Sequence, residues 1–207
     1  TTAIADDEAE YEDEAGHLWH LRYPLSEPVD GLEYLVVATT RPETMLGDTG
    51  VAVNPKDERF GHLVGKTVKL PLVDREIPIF ADWHVDTEFG TGCVKVTPSH
   101  DPNDWAMGEK AGLPRINIFD ETAHVVEGYG KFSGMDRDEA REAVVAAFEE
   151  LGLLDHVEDH DHSVMTCYRC HTKLEPWESE QWFVAVDGLK EAAARVVEDG
   201  SIQFHPA

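Results

Sequence analysis

The sequence predicts a β-rich α+β fold, in which a curled antiparallel or mixed β-barrel core carries peripheral helices. Many short apolar runs are separated by turn signals, a pattern typical of barrels and curled sheets. Segments with clear helical spacing are few, and no glycine fingerprint of a doubly wound fold appears. At 207 residues the chain is long enough for one good core, or for one core with a small appendage.

Seven runs are predicted to be strands, from their β-branched content and from the turn residues around them. A Pro/Gly turn over residues 26–31 separates the first two, and Val73 to Arg75 forms the turn of a hairpin. The predicted strands are His17 to Tyr23, Glu33 to Thr39, Val51 to Val53, Thr67 to Leu72, Glu76 to Phe80, Cys93 to Thr97 and Arg115 to Phe119.

Three helices are predicted. The first runs from Pro102 to Ala111, with Asp101 at its start and Gly112 at its end. Asp136 and Glu139 resemble a capping box that opens the second helix. We expect the apolar stripes of the two later helices to face the core. These stripes are Val144, Phe148 and Leu151 in the second helix, and Leu189, Ala193, Val196 and Val197 in the third.

We expect three parts along the chain: an acidic N-terminal arm over residues 1–16, a barrel core with inserted helices over 17–155 and a return segment over 156–207. The arm holds seven acidic residues between positions 6 and 14, and we expect it to be solvated. We expect the return segment to carry a C-terminal helix packed on the core. The net charge of −25 repels phosphate backbones at long range, so a nucleic-acid partner must be held by a local patch or by a longer parent protein.

Composition also indicates the cellular compartment in which the chain works. No apolar run approaches the roughly 18 residues of a membrane span, and the N-terminus lacks the basic and apolar regions of a signal peptide. Three cysteines are too few for a disulfide scaffold, which fits a reducing cytoplasm. Because the chain lacks an initiator Met, we expect it to be a piece of a longer protein.

The most informative segment is GTGCVKVTPSHDPND, residues 90–104. A short strand ends in a turn that gathers His100, Asp101, Asn103 and Asp104, at the mouth of a sheet where binding residues often lie. The competing interpretation is an Asx-rich helix start, because Asp and Asn accept backbone N–H bonds there.

A second polar segment, TTRPET over residues 39–44, follows the strand LVVA. It offers three threonine hydroxyls, the Arg41 guanidinium and the Glu43 carboxylate, and Pro42 ends the strand. Taken alone, a polar turn at a strand end explains this segment slightly better, because Thr is common in strands.

Together the two segments resemble the editing domain inserted into class I aminoacyl-tRNA synthetases for branched aliphatic amino acids. The match is closest to the valyl type, through Lys95 and Thr97 in VKVTP, Asp101 and Asp104 in HDPND, and the run LPLVDREIPIFAD between the motifs. The leucyl and isoleucyl relatives carry other residues at the position of Lys95. The resemblance covers nearly the whole chain, and it implies the barrel fold of these editing domains.

The resemblance implies an aminoacyl-tRNA deacylase within an ATP-dependent valine–tRNA ligase. Its partners are then the 3′ end of tRNA(Val) carrying a mischarged amino acid, here threonine, and the remainder of the parent synthetase. A hydrophobic synthetic pocket rejects the added hydroxyl of threonine by only about a hundredfold, so a second, hydroxyl-reading site is needed. The alternatives are an isoleucyl-type domain that removes valine, and a non-catalytic tRNA-docking or zinc-knuckle module.

The family implies roles for individual residues. Asp101 pairs with the substrate α-ammonium, and Asp104 with Lys95 and Thr97 reads the threonine hydroxyl. The other predicted site residues surround the amino acid and the terminal adenosine: Thr39, Thr40, Arg41, Thr44, Phe89 and His100. Of all these residues, we count Asp101, Lys95, Thr40 and Arg41 as the catalytic group.

Because no residue is an obvious nucleophile, we expect a positioned water to attack the ester. His100 is the alternative general base, and the opposing interpretation is that its imidazole only orders the turn. Cys93 lacks a His–Asp relay and is better explained as a small buried strand residue.

The pair Cys167 and Cys170 forms half of a zinc knuckle. Only Cys93 remains besides, so four cysteines cannot close a site. The alternative is an ad hoc site that His160, His162 and His171 complete. We expect no metal and no cofactor in this chain. ATP, and zinc if the knuckle is completed, belong to the full-length parent, because the HIGH- and KMSKS-like motifs of synthesis do not occur here.

Overall fold

The computed structural model describes residues 4, 6–88, 90–178, 180, 182 and 184–205, and within them the chain forms a nearly closed mixed β-barrel. The strands follow the order β2-β1-β4-β5-β3-β6, β6 lies back against β2, and β7 pairs with the outer part of β1. All pairs are antiparallel except β3 with β5. The strands are β1 (Ala9–Val29), β2 (Leu32–Thr39), β3 (Gly50–Val53), β4 (Thr67–Leu70), β5 (Arg75–Ala81), β6 (Cys93–Val96) and β7 (Leu154–Cys167).

The barrel interior is filled by alternate side chains of the strands, as the period of two requires. Tyr23, Leu21, Leu35 and Val37 are buried on β1 and β2, and Ile77 and Ile79 are buried on β5. The hairpin between β1 and β2 turns at Asp30 and Gly31, both with positive φ, as a two-residue turn needs. These strands confirm six of the seven predicted ones.

The helices lie outside the barrel: α1 (Pro102–Ala111), α2 (Arg137–Glu150) and α3 (Asp187–Glu198). Asp136 caps α2 as predicted, and Val144 and Phe148 are buried against the core. Leu151 is 57% exposed, so its predicted core position is wrong. Within the described residues, no helix is both long and apolar enough to cross a membrane.

The start of α1 brings the polar turn close to β6. Asp101 caps the helix, and Gly112 ends it in the left-handed region at φ 68°. A Cβ atom on Gly108 would lie 2.6 Å from Cγ of Pro98, so only glycine lets the helix pack this closely on the turn.

The acidic arm is not simply a solvated segment. Residues 9–16 belong to β1 and pair with β7 in a two-stranded ribbon that runs from Ala9 opposite Cys167 to Leu21 opposite Leu154. Strand pairing satisfies the backbone, while most side chains of the arm stay partly or fully exposed. The strands run continuously through residues 16 and 155, and the predicted division into three parts stays a prediction.

Two further expectations are wrong. Residues 115–119 form no strand, because the backbone N–H of Ile118 donates to a side chain and Phe119 makes only one isolated bridge, to Val125. The third helical stripe does not face the core. No residue of α3 is buried, and Leu189 is 65% exposed.

Candidate active site

The fold brings the two polar segments face to face at one end of the barrel. Thr39 ends β2, a 3₁₀ turn over Pro42–Gly47 follows, and Lys95 lies on β6 beside it. Nζ of Lys95 is 2.9 Å from Oγ1 of Thr44, which joins two motifs that are separated by about fifty residues in the sequence. The helix α1 then begins next to the end of β6 and adds its first turn to the same site.

The centre of the site is a buried polar network around Lys95. The ammonium donates to Oγ1 of Thr44 (2.9 Å), Oδ1 of Asp48 (3.0 Å) and Oγ1 of Thr97 (2.6 Å). The hydroxyl of Thr97 donates to Oδ1 of Asp48 at 2.5 Å, and that of Tyr23 donates to Oδ2 at 2.6 Å. Since an ammonium has three N–H donors, Lys95 is fully satisfied and fixes the floor of the site.

Asp48 was missed by sequence reasoning, although it is the centre of this network. Its side chain is fully buried and carries the charge that balances Lys95. The available signal was a lone carboxylate in the otherwise apolar stretch MLGDTGVAV. A charged residue in such a stretch needs a buried partner.

Asp104 reaches the same network from α1. Its Oδ2 accepts the backbone N–H of Thr97 at 2.8 Å, and the residue is 9% exposed. Burial raises the pKa of Asp104 to about 7, although the nearby Lys95 acts in the opposite direction. At neutral pH this carboxyl group therefore exchanges between a hydrogen-bond acceptor and a donor, and either form can bind a hydroxyl.

Asp101 lies at the rim and is half-buried. Its Oδ1 accepts the N–H groups of Asn103 (2.7 Å) and Asp104 (3.2 Å), so the helix-cap interpretation is confirmed. These contacts use only one of the two carboxylate oxygens. The second oxygen can therefore serve a cationic ligand without loss of the cap.

Arg41 is held by groups from three parts of the chain. It donates to the backbone oxygen of His100 at 2.9 Å and to Oε2 of Glu175 in the return segment, and Oε1 of Glu43 lies 3.5 Å from its Nε. Glu43 is itself fully buried and accepts two hydrogen bonds from Arg141 on α2, at 2.8 and 2.9 Å. Sequence reasoning missed Arg141 and Glu175, which no motif spacing connects to TTRPET.

The remaining threonines shape the turn. Oγ1 of Thr39 accepts the N–H of Arg41 at 3.0 Å, and Oγ1 of Thr44 donates to the carbonyl oxygen of Arg41 at 2.9 Å. Thr39 and Thr44 are buried, whereas Thr40 between them is half-buried. Thr40 is therefore the threonine of this segment that is most open to a ligand.

His100 lies behind the site. It is 1% exposed, and its Nε2 accepts the backbone N–H of Ile118 at 3.0 Å, so the ring proton is on Nδ1. Burial lowers the pKa of His100 to about 3, which keeps the ring neutral. This placement matches an imidazole that orders the turn. Phe89, the predicted pocket wall, lies outside the described residues.

The cysteines lie away from this network. Cys93 is a buried strand residue, as predicted, and burial raises the pKa of its thiol to about 12. Cys167 and Cys170 lie at the far end of the ribbon, where Sγ of Cys170 donates to Oγ1 of Thr172 at 3.2 Å. Among the described residues, the one group of three or more close metal-ligating side chains lies elsewhere and includes neither cysteine.

Known proteins resemble the chain over almost its whole length. It is 53% identical to the valine–tRNA ligase of Thermotoga maritima over 205 residues and 54% identical to that of Geobacter sulfurreducens over 206 residues. Each match covers 99% of this chain and 23% of the relative, so the chain spans about a quarter of these proteins. The family of leucyl-tRNA synthetase editing domains matches residues 54–149.

Solved structures share the fold at 18% identity. The leucyl-tRNA synthetase agnB2 of Agrobacterium radiobacter K84, in a ternary complex with tRNA and LeuAMS, gives a TM-score of 0.52 and covers 82% of this chain and 24% of that chain. The crystal structure of GlLeuRS-CP1 gives a TM-score of 0.53 and covers 70% of this chain and 99% of that one.

Proposed function

The chain belongs to the valyl-tRNA synthetases, as the editing region of a homologue of these class I enzymes, and on that premise we propose that it hydrolyses the ester of threonyl-tRNA(Val). The observation that carries the proposal is the buried network of Lys95, Asp48 and Thr97 beside Asp104. A site with such groups beside it suits a hydroxylated side chain. The network groups already pair with one another, but the second carboxyl oxygen of Asp104 is left for a ligand. Valine would leave that oxygen desolvated and unpaired, at a cost of about 1–3 kcal/mol.

In this proposal each group has a role that fits its surroundings. Asp104 exchanges a hydrogen bond with the threonine hydroxyl, while Lys95 and Thr97 hold the pocket floor that gives this contact its geometry. The free oxygen of Asp101 binds the α-ammonium. Thr40 and Arg41 at the rim orient the terminal adenosine and the ester.

Hydrolysis then depends on how the attacking water and the ester are positioned and on the charged groups around them. Burial keeps the Cys93 thiol protonated, and the lone pair of buried His100 is already taken by the backbone N–H of Ile118. Both observations support attack by a water rather than by a side chain. A water held between the substrate and the rim groups needs no covalent intermediate.

The proposal extends to partners and compartment. The chain spans about a quarter of its relatives, and in this proposal it acts together with the remainder of the parent synthetase. That remainder supplies most of the contact with tRNA, because the acidic surface of this chain does not favour a phosphate backbone. The three free cysteines fit work in the reducing cytoplasm.

The test uses the full-length synthetase that contains this region, with purified threonyl-tRNA(Val) as substrate. Asp101→Asn keeps a cap acceptor and removes the charge. It is expected to slow deacylation roughly ten- to hundredfold, as the loss of a charged hydrogen bond implies. Asp136→Asn makes the same change at the cap of α2 and is the matched control, with an expected effect below twofold. Equal rates for Asp101→Asn and wild type would refute the proposed role.

Parallel assays separate the alternatives. An isoleucyl-type domain would cleave valyl-tRNA in preference to threonyl-tRNA. A docking module would leave both esters intact at every enzyme concentration.

A further inference from the structure

We propose that the base of the ribbon is a binding site for one Zn²⁺-class transition-metal ion, held by His20 on β1 and by His156 and Glu158 on β7. One ligand atom from each of these three side chains lies within 4.8 Å of the others. Imidazole nitrogens with a carboxylate oxygen are a ligand set that suits zinc.

The strand register produces this grouping. His20 lies directly opposite His156, and Glu158 follows two residues later on the same face of β7. Nε2 of His20 is 3.3 Å from Oε1 of Glu158. Two ligands bonded tetrahedrally to zinc at 2.0–2.2 Å are separated by about 3.4 Å, so this pair already has the required spacing.

A carboxylate outside the ligand set orients His156. Residue Asp155 is the extra residue of a β-bulge between the pairs His20–His156 and Leu21–Leu154. Its Oδ2 is 2.8 Å from Nδ1 of His156, and its Oδ1 accepts two hydrogen bonds from Arg22, at 2.6 and 2.8 Å.

This arrangement selects the tautomer that binds metals. Because the Asp155 carboxylate accepts a hydrogen bond from Nδ1–H of His156, Nε2 of the ring carries the free lone pair. A histidine ligand that donates its other N–H to a carboxylate is a recurring feature of zinc sites.

Metal binding requires the two stacked histidine rings to turn relative to each other. The rings of His20 and His156 are stacked, with centroids 3.8 Å apart and planes 16° from parallel, so one ring must rotate to aim both lone pairs at one ion. His156 is half-exposed and has room to tilt about its hydrogen bond to Asp155, whereas His20 is 8% exposed and stays fixed. A water completes the tetrahedron on the open side.

An ion at this position would cross-link β1 to β7 where the ribbon leaves the barrel, independently of the cysteine pair. Cys167 is eleven residues from His156 along β7, which places it about 37 Å away. The proposed site therefore shares no residue with the candidate editing site or with the knuckle.

The experiment titrates Zn²⁺ into the chain carrying Cys167→Ser and Cys170→Ser, with calorimetry for stoichiometry and affinity. Co²⁺ absorption then reports tetrahedral coordination. We expect one ion per chain. His156→Ala and Glu158→Gln, which change exposed side chains, should each weaken binding at least tenfold, and Asp155→Asn should weaken it tenfold or more.

The matched control is His17→Ala, a half-exposed histidine on the other face of the same ribbon whose Nδ1 is 3.2 Å from Asp159. Its affinity for Zn²⁺ should stay within twofold of the parent. The proposal is overturned if the parent chain binds no stoichiometric Zn²⁺, or if His17→Ala and His156→Ala weaken binding equally.

Discussion

The buried pair of Asp48 and Lys95 gives the sharpest prediction for stability. Asp48→Asn keeps the size of the side chain and removes its charge. The Lys95 ammonium, whose side chain is 8% exposed, then stays buried without its counter-charge 3.0 Å away. Breaking a buried ion pair from one side costs about 3–5 kcal/mol, because the remaining charge is still desolvated.

The magnitude is large enough to measure by two methods. For a chain of this size each kcal/mol lowers Tm by about 2–4 °C, so Asp48→Asn is expected to lower it by roughly 6–20 °C. Urea unfolding followed by fluorescence of the five tryptophans gives the free energy of unfolding directly. Asp74→Asn, at an exposed position in the β4–β5 turn, is the control and should stay within about 0.5 kcal/mol.

A double-mutant cycle with Lys95→Met isolates the pair. Once the ammonium is gone, Asp48→Asn no longer leaves a buried charge unpaired. The two changes should therefore be less costly together than their sum, by at least about 1.5 kcal/mol. Additive costs, or a cost below about 1 kcal/mol for Asp48→Asn alone, would refute the account of a charge-balanced pocket floor.

Three further predictions concern positions around the site. The raised pKa of Asp104, about 7 against an ordinary 3.8, means that the folded chain keeps a proton that the unfolded chain releases. The free energy of unfolding of the wild-type chain, relative to that of Asp104→Asn, should therefore be greatest below pH 4 and fall by up to about 4 kcal/mol as pH rises through 7. Urea unfolding of both chains at pH 4 and pH 8 checks this. A difference that does not change with pH would contradict it. Arg141→Met leaves the fully buried Glu43 without its bidentate partner and should cost about 3 kcal/mol by the same assay, whereas a cost near zero would show that the pair is not coupled. Gly108→Ala places a Cβ 2.6 Å from the ring of Pro98 and should lower the free energy of unfolding by about 1–3 kcal/mol in thermal unfolding. Its control is Gly188→Ala on the exposed helix α3, where the new Cβ has no neighbouring atom within 4 Å and should not destabilise the chain.

Local patterns predicted most of the barrel because alternation and turn residues act within a few positions of each other. Residues 115–119 show the limit of such patterns. The run RINIF alternates like a strand, yet a strand requires a partner edge, and the backbone of Ile118 pairs with His100 instead. The stripe of α3 shows that a helix face is apolar, but it does not indicate whether this chain covers that face.

The candidate site was predictable to the extent that its residues fall in two recognisable motifs. The cap by Asp101 follows from local sequence alone. The contact between Thr44 and Lys95 depends on strand order across fifty residues, so only the resemblance to a known family joined the motifs. Asp48 and Arg141 escaped notice because their roles depend entirely on long-range burial and pairing.

The most direct test of hydroxyl recognition is the ratio of deacylation rates for threonyl-tRNA(Val) and valyl-tRNA(Val), measured with the full-length synthetase under single-turnover conditions. A site in which Asp104 keeps one carboxyl oxygen for the threonine hydroxyl predicts that the threonyl ester is cleaved about ten- to hundredfold faster, since valine leaves that oxygen unpaired. Equal rates, or faster cleavage of the valyl ester, would contradict the account.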